Sequence, residues 1–198
     1  MMRARKFSLA GIAVGALSLT VATSIPTAFS HGYTTAPISR AKHCANTTVQ
    51  NCGAIQWEPQ STEGPKGFPG AGPADGKLCS AGLQQFNELN DQRAGAWPTT
   101  QLTSGQNYTF RWTLTASHAT TDFKYYITKQ GWNQSAPLTR SALELTPFLT
   151  VPFNNARPPS SVSHAGTLPN RTGRHMILAV WTIADTANAF YQCSDVRF

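Results

Sequence analysis

The amino-acid sequence predicts an all-β fold, an antiparallel sandwich that carries a long irregular insertion. Two segments of the C-terminal half alternate between apolar and polar residues with a period of two, as half-buried strands do. A third segment is a continuous apolar run, which is typical of a central strand buried on both sides. A stretch rich in Gly and Pro precedes all three, and regular strands are not expected there.

Four strands are predicted in chain order. Apolar side chains occupy every second position of the first two strands, such as Phe110 and Trp112 in one and Phe123 and Tyr125 in the other. Short strands that follow one another with turns between them favour an antiparallel sandwich. The predicted strands cover residues 107–114, 122–128, 176–183 and 189–198.

The insertion lies between the N-terminal segment and the first predicted strand. Residues 58–78 are rich in Gly and Pro, so we expect no regular strand in them. Residues 79–90 carry Leu83, Phe86 and Leu89 at roughly helical spacing, which predicts a short helix. Long irregular segments in compact domains are uncommon and usually serve a function.

The first thirty residues are predicted to be a cleaved signal peptide. An uncharged, mostly apolar stretch over residues 7–23 leads to Ala28-Phe29-Ser30, in which Ala28 and Ser30 are small residues at the positions that a signal peptidase requires. An uncleaved membrane anchor is the alternative, but the run is short for a membrane span. We therefore expect one mature, secreted domain over residues 31–198, extracellular and not bound to a membrane. The apolar stretch of residues 7–23 follows three positive residues, Arg3, Arg5 and Lys6, as in a signal peptide.

The charge of the chain argues against a nucleic-acid partner. The formal net charge is +7, and removal of the three positive residues of the signal peptide lowers it to +4. The remaining Lys and Arg residues are scattered without a basic cluster, whereas nucleic-acid binding requires a basic patch.

Four cysteines in an exported chain favour two disulfides. Pairing of Cys44 with Cys52 would close a short local loop, and Cys79 with Cys193 would then tie the middle of the chain to its C-terminus. Parity alone leaves three pairings open. Metal binding by the thiols is disfavoured, because no C-x-x-C pair is present.

His31 is a candidate metal ligand because of its position. At a mature N-terminus it offers a free α-amine and the ring Nδ1, and the α-amine loses its proton to a metal at small cost near neutral pH. Nitrogen ligands in a planar arrangement select copper, which also heads the affinity order of divalent first-row ions. His118 follows a predicted strand, but spacing alone does not pair it with His31, and a surface role is the simpler interpretation. The residues by themselves therefore lead no further than a candidate N-terminal copper site on a secreted β-sandwich.

Six sequence motifs resemble the bacterial lytic polysaccharide monooxygenases of auxiliary-activity family ten, once classed as chitin-binding proteins. The resemblance covers essentially the whole predicted mature chain and includes the signal-peptide boundary. The motifs are His31-Gly32-Tyr33, Pro37-Ile38-Ser39-Arg40, the segment 58–64 (EPQSTEG), the segment 66–69 (KGFP), the segment 71–76 (AGPADG) and the segment 183–192 (IADTANAFYQ).

The resemblance implies a copper site, a histidine brace, in which His31 supplies its α-amine and ring and His118 supplies a third nitrogen. Phe190 matches the aromatic residue at one axial position of the copper, and Ala116 matches a small residue beside the other. Glu63 matches an acidic residue that orients the oxygen species or the hydrogen peroxide co-substrate. The three other histidines match no ligand, so we expect structural roles for them. Five further residues match the flat binding face of the family: Trp57, Glu58, Thr115, Asp185 and Asn188.

The function that we expect is copper-dependent oxidative cleavage of crystalline chitin at carbon 1. The resemblance also implies an immunoglobulin- or fibronectin-III-like sandwich in which residues 57–90 form part of the substrate face. Expected partners are an insoluble polysaccharide, an external electron donor, and oxygen or hydrogen peroxide, and we expect a monomer. Three alternatives stay open: the same chemistry on cellulose, a non-catalytic chitin-binding protein, and a periplasmic copper carrier.

Overall fold

A computed structural model describes residues 31–198, and the predicted signal peptide lies outside the described residues. Over this range nine strands form two sheets. One α-helix and four short 3₁₀ segments lie between the strands along the chain. The helix is α1 (Arg40–Ala45), and the 3₁₀ segments are Gly53–Gln56, Gln84–Asn90, Arg93–Gly95 and Arg140–Ala142. The strands are β1 (His31–Ala36), β2 (Glu63–Pro65), β3 (Thr100–Gln101), β4 (Asn107–Ala116), β5 (Thr120–Ile127), β6 (Leu149–Pro152), β7 (Ser161–Thr167), β8 (Arg174–Ile183) and β9 (Asn188–Arg197).

The two sheets pack face to face and confirm the predicted β-sandwich. The smaller sheet has the strand order β1-β4-β7, and the larger sheet has the order β2-β9-β8-β5-β6. The short strand β3 runs parallel to the far end of β9. All other pairings are antiparallel. The four predicted strands are β4, β5, β8 and β9, with ends that differ by at most two residues.

The larger sheet is buried on both faces, which explains the continuous apolar run in β8. Ile177 and Trp181 belong to the core between the two sheets. Leu178 and Val180 alternate with them and belong to a second core, which the insertion forms on the opposite face. A strand covered on both sides has no polar face, so its sequence shows no alternation.

Two disulfides fix the insertion. Cys44 pairs with Cys52, which joins α1 to the 3₁₀ segment that follows. Cys79 pairs with Cys193, across 114 positions, and joins the insertion to β9. This is one of the three pairings that the sequence leaves open. A cross-link over so long a loop removes much conformational freedom from the unfolded chain and thereby stabilises the fold.

A buried ion network also joins the insertion to the sheet. Arg40 in α1 donates from Nε to Oδ2 of Asp195 in β9 at 2.6 Å, and Arg174 in β8 donates to Oδ1 of the same carboxylate at 2.7 Å. Another N–H of Arg40 reaches the carbonyl of Leu89 at 2.8 Å. All three charged residues are buried. Arg40 belongs to the motif Pro37-Ile38-Ser39-Arg40, and its contacts in this structure hold the insertion to the sheet.

Two expectations for the insertion are corrected. The segment 58–78 does contain a strand, because β2 pairs with β9 at the edge of the larger sheet. Gly64 is needed there, since a Cβ at this position would lie 2.3 Å from the carbonyl oxygen of Ala81, and Pro65 is tolerated in an edge strand. The expected helix over residues 79–90 is only the 3₁₀ segment Gln84–Asn90, which a non-helical residue, Phe86, interrupts.

Candidate metal centre and substrate face

The pairing of β1 with β4 brings the two candidate metal ligands to one end of the sandwich. His31 lies opposite Ala116, the last residue of β4, and His118 follows two residues later in the turn to β5. Thr115 donates from its hydroxyl to the carbonyl of His31 at 3.4 Å. His118 is 6% exposed, whereas His31 is half-buried. Two residues 87 positions apart in sequence thus share one small region.

One contact orients the ring of His118, and a second fixes its main chain. Its Nδ1 lies 3.4 Å from Oδ2 of Asp185, in the turn between β8 and β9. The hydroxyl of Thr120 donates to the main-chain carbonyl of His118 at 2.9 Å, which closes the turn on which the ring stands. With Nδ1 facing a carboxylate, the ring carries its proton on that atom, and Nε2 is the nitrogen left to accept a metal.

Glu63, Asn188 and Phe190 form a second group at the edge where β2 meets β9. Glu63 lies directly opposite Phe190, so their side chains share one face of the sheet. Asn188, two residues before Phe190, shares that face too, and its Nδ2 donates to Oε1 of Glu63 at 2.8 Å. The Glu63 carboxylate is therefore held by an amide from the neighbouring strand.

A buried glutamine joins the two groups. The Nε2 of Gln192, in β9, lies 2.6 Å from the Thr62 hydroxyl and 3.4 Å from the Gly32 carbonyl. Thr62 precedes Glu63, and Gly32 follows His31, so one amide links the neighbours of both candidate site residues. Gln192 is part of the segment 183–192, but its role in joining the groups was not predicted.

An apolar wall lies behind the candidate metal centre. Phe190 is completely buried and packs on Trp181 with ring centroids 5.0 Å apart. Gly32 runs close over this wall, because a Cβ there would lie 3.1 Å from the Trp181 ring and 2.7 Å from Leu114. Gly32 therefore packs directly on the apolar wall, with no room for a side chain.

Trp57 and Glu58 stand on the loop that follows the 3₁₀ segment Gly53–Gln56. Trp57 is 82% exposed, and among the described residues Leu145 is the other large hydrophobic side chain in the exposed class. The loop reaches the metal-centre region through Gln60, whose carbonyl accepts a hydrogen bond from the Gly32 amide at 3.1 Å. An exposed indole on an anchored loop is a surface on which a flat ligand can stack.

The three remaining histidines are buried in the fold. Nδ1 of His164 lies 2.7 Å from the Tyr125 hydroxyl, and Nδ1 of His175 lies 2.8 Å from the Thr128 hydroxyl. Burial lowers the pKa of His164 to about 4 and also lowers the pKa values of His175 and His43. Neutral, packed imidazoles agree with the structural roles expected for them.

A family model described as lytic polysaccharide mono-oxygenase, cellulose-degrading, matches residues 31–196. The chain belongs to this family of lytic polysaccharide monooxygenases. The match begins at His31, the residue at which the sequence analysis expects the mature protein to begin.

Curated and structural relatives agree with this family. "GlcNAc-binding protein A" of Aliivibrio fischeri is 50% identical over 169 residues, which cover 81% of this chain and 34% of that protein. The chain spans about half or less of the length of the curated relatives it matches.

Solved structures of lytic polysaccharide monooxygenases match over their whole length. The "AA10 lytic polysaccharide monooxygenase (LPMO) from Streptomyces lividans" is 62% identical with a TM-score of 0.83, over 85% of this chain and 100% of that one. A protein described as "Bacillus amyloliquefaciens CBM33 in complex with Cu(I) after photoreduction" is 40% identical with a TM-score of 0.77, over 84% of this chain and 99% of that one. The chain thus shares the β-sandwich of auxiliary-activity family ten.

The donor chemistry of the candidate metal centre fits copper. Within residues 31–198, no group of three His, Cys, Asp or Glu side chains could hold a metal ion. A centre at His31 and His118 therefore requires a third donor of another kind, and a free α-amine on His31 would be a third nitrogen. An all-nitrogen set of imidazoles and an amine suits copper better than it suits calcium or magnesium.

No helix over residues 31–198 is long and apolar enough to cross a membrane.

Proposed function

We propose that this lytic polysaccharide monooxygenase cleaves crystalline chitin oxidatively at carbon 1, with one copper ion bound by His31 and His118. The pairing of β1 with β4 carries the proposal, because it sets His31 opposite Ala116, two residues from His118. The proposal requires cleavage between Ser30 and His31, since only a free N-terminus provides the third nitrogen. The mature chain would then begin at His31 and be secreted.

The copper would supply one-electron redox chemistry with oxygen or hydrogen peroxide, after reduction by an external donor. His31 would bind it through the α-amine and the ring, and His118 through Nε2. Asp185 holds the tautomer of His118 by accepting from Nδ1. Phe190, in the buried apolar wall, would keep water and a further strong ligand away from the metal, and the small side chain of Ala116 would leave room for a co-substrate.

Glu63 acts as a fixed hydrogen-bond acceptor beside the centre. Asn188 occupies one carboxylate oxygen, so the other is left to orient the co-substrate. A carboxylate that is already held does not have to be ordered when substrate binds, and its orientation is therefore available at no further entropic cost.

The substrate face consists of the exposed ring of Trp57 with polar groups around it. An indole stacks on the apolar face of a sugar ring, and Glu58, Thr115, Asp185 and Asn188 offer hydrogen bonds to hydroxyl and acetamido groups. Chitin is favoured because curated relatives such as that of Aliivibrio fischeri are named GlcNAc-binding protein A. Cellulose is the second candidate, because the family model is described as cellulose-degrading.

The test is mass spectrometry of soluble products after incubation with copper, a reductant and β-chitin. We expect chitin oligosaccharides oxidised to aldonic acids, each heavier by about one oxygen than its native counterpart. Oxidised products from cellulose alone would replace the substrate assignment. Binding to chitin without products would favour a non-catalytic binding protein, and copper binding without polysaccharide binding would favour a copper carrier.

Two further measurements test the metal centre itself. Intact-mass analysis of the secreted protein should give a start at His31, because a chain that retains Ser30 has no amine-plus-ring chelate. His118→Ala should change the Cu(II) electron paramagnetic resonance spectrum and weaken copper binding. An unchanged spectrum in a folded His118→Ala variant would exclude His118 as a ligand.

A further inference from the structure

Lys66, one residue beyond β2, is bonded to the turn between β8 and β9 at three points. Its ammonium group donates to the main-chain carbonyls of Ile183, at 3.2 Å, and of Thr186. Its own amide N–H donates to the carbonyl of Ala187 at 3.0 Å. Lys66 belongs to the motif 66–69, for which the proposed function gives no role.

The turn that Lys66 holds carries two residues of the proposed site. Asp185 lies between the two carbonyls that accept from the ammonium, and its carboxylate faces Nδ1 of His118. Asn188 is the first residue after the turn, and its amide holds Glu63. The same four-residue turn thus sets the orientation of a candidate copper ligand and of the candidate acid.

The other hydrogen bonds of the turn are few. Ala184 donates to the carbonyl of Ala119 at 2.8 Å, and Asn188 donates to the Thr186 hydroxyl at 3.2 Å. The ammonium connects the start of the turn, at Ile183, with its far side, at Thr186. Hydrogen bonds from a charged donor are roughly twice as strong as those between neutral groups, so Lys66 supplies much of the restraint.

We propose that Lys66 is a positioning residue for the copper centre: by fixing the β8–β9 turn, it places Asp185 against His118 and Asn188 against Glu63. The inference rests on the proposed function, because it concerns the residues of that site. The ammonium group of Lys66 bonds to the main chain of the turn and not to His31 or His118. It acts through the main chain of residues 183–187.

The experiment compares Lys66→Met, which keeps the length of the side chain and removes the ammonium, with Lys77→Met as a matched control. Lys77 is also a partly buried lysine bound to a neutral oxygen, Oδ1 of Asn87 at 2.6 Å, but it lies in the insertion. Lys66→Arg restores a charged donor. Lys66→Gln, which keeps a neutral donor, takes the place of Lys66→Met if that variant does not fold.

Three readouts apply to each variant: deuterium uptake of the 183–190 segment in metal-free protein, the Cu(II) electron paramagnetic resonance spectrum, and copper affinity by competition with a chelator. We expect Lys66→Met to increase the uptake, alter the spectrum and weaken copper binding about tenfold. This loss is near the low end of those seen when a residue that holds a metal ligand in place is replaced. Lys66→Arg should recover part of each, and Lys77→Met should match the wild type.

A spectrum and affinity of Lys66→Met equal to those of the wild type would overturn the inference, whatever the uptake shows. The same holds if Lys77→Met produces equal changes, because a general loss of stability would then explain them. Failure of the wild-type protein to bind copper or to oxidise chitin would instead contradict the proposed function. The deuterium uptake of metal-free protein separates the two failures, since it tests the turn without copper.

Discussion

Asn188 donates a hydrogen bond of 2.8 Å from its side-chain amide to Oε1 of Glu63. The bond joins the start of β9 to the start of β2, and Phe190 lies opposite Glu63 in the same ladder. The position of the carboxylate is therefore set by strand register, and an amide rather than a charged group neighbours it. A neutral donor holds the carboxylate in place without neutralising its negative charge.

Replacement of this amide by a carboxylate, Asn188→Asp, should impair turnover more than copper binding. The variant loses the donor and sets two like charges side by side, so Glu63 leaves its position. We expect the rate of oxidised-product release to fall about tenfold, since a hydrogen bond to a charged group contributes about 1.5–3 kcal/mol. Copper affinity should stay within about twofold of the wild type. Asn133→Asp, in an exposed loop, is the control, and an equal rate for both variants would contradict the role of the Asn188–Glu63 bond.

Removal of the exposed indole, Trp57→Ala, should weaken adsorption to chitin and leave copper binding intact. The ring is 82% exposed and contacts sugar rather than metal in the proposal. An aromatic contact contributes about 1 kcal/mol, so we expect a roughly fivefold loss of affinity in a depletion isotherm. Leu145→Ala removes another exposed apolar side chain and should have no effect. Equal adsorption by the Trp57→Ala variant would remove Trp57 from the substrate face.

The predicted strands were those whose inward residues are large and apolar. In β4, Phe110, Trp112 and Leu114 fill the core, and the alternation is plain in the sequence. In β1 the inward residues are Gly32 and Thr34, which carry little apolar surface, so the strand that bears His31 gave no periodic signal. Gly32 has no room for a larger side chain, because Leu114 and Trp181 already occupy the space.

The candidate site was predicted through the resemblance and not through spacing. The nearness of His31 to His118 depends on a pairing between β1 and β4 that crosses the whole insertion, and no local pattern encodes it. Lys66 and Gln192 join elements far apart in sequence through main-chain carbonyls. Carbonyl acceptors are present at every residue, so such partners leave no mark on the sequence.

Neutralisation of the buried carboxylate, Asp195→Asn, should destabilise the fold strongly. Asp195 is 2% exposed and bonds to both Arg40 and Arg174, so its loss leaves two buried guanidinium groups without a counter-charge. Removal of one partner of a buried ion pair costs about 3–5 kcal/mol, and we expect a loss of that size in urea unfolding. Glu144→Gln breaks a half-exposed pair with Arg171 and should cost less than about 1 kcal/mol. Similar losses for the two variants would contradict this account.

His164 should make the stability of the protein depend on pH. Its Nδ1 lies 2.7 Å from the Tyr125 hydroxyl, which accepts from Nε1 of Trp112 at 3.0 Å and therefore donates its own proton to the imidazole. The ring of Phe123 packs against the imidazole of His164 with centroids 4.7 Å apart. Nε2 of His164 is buried without a hydrogen-bond partner. A protonated ring has no counter-charge in these contacts. Burial accordingly lowers its pKa from an ordinary 6.5 to about 4.

The sign of the pH dependence follows from this lowered pKa. Above pH 6.5 the imidazole is neutral in both states, and the contribution to stability is fully present. As the pH falls from 6.5 towards 4, the unfolded chain takes up a proton that the native state does not, so stability is lost across that window. Between pH 7 and pH 5 the loss from this residue amounts to about 2 kcal/mol.

The His164→Asn variant tests this contribution, because the Asn Oδ1 replaces Nδ1 as acceptor for the Tyr125 hydroxyl and does not titrate. We expect the variant to be less stable than the wild type near pH 7, since the smaller side chain leaves a void beside Phe123. Its free energy of unfolding in urea should fall less between pH 7 and pH 5 than that of the wild type, by about 2 kcal/mol. His43 and His175, whose pKa values are also lowered, are present in both proteins and cancel in the difference. Parallel pH profiles for the two proteins would show that His164 does not carry the effect.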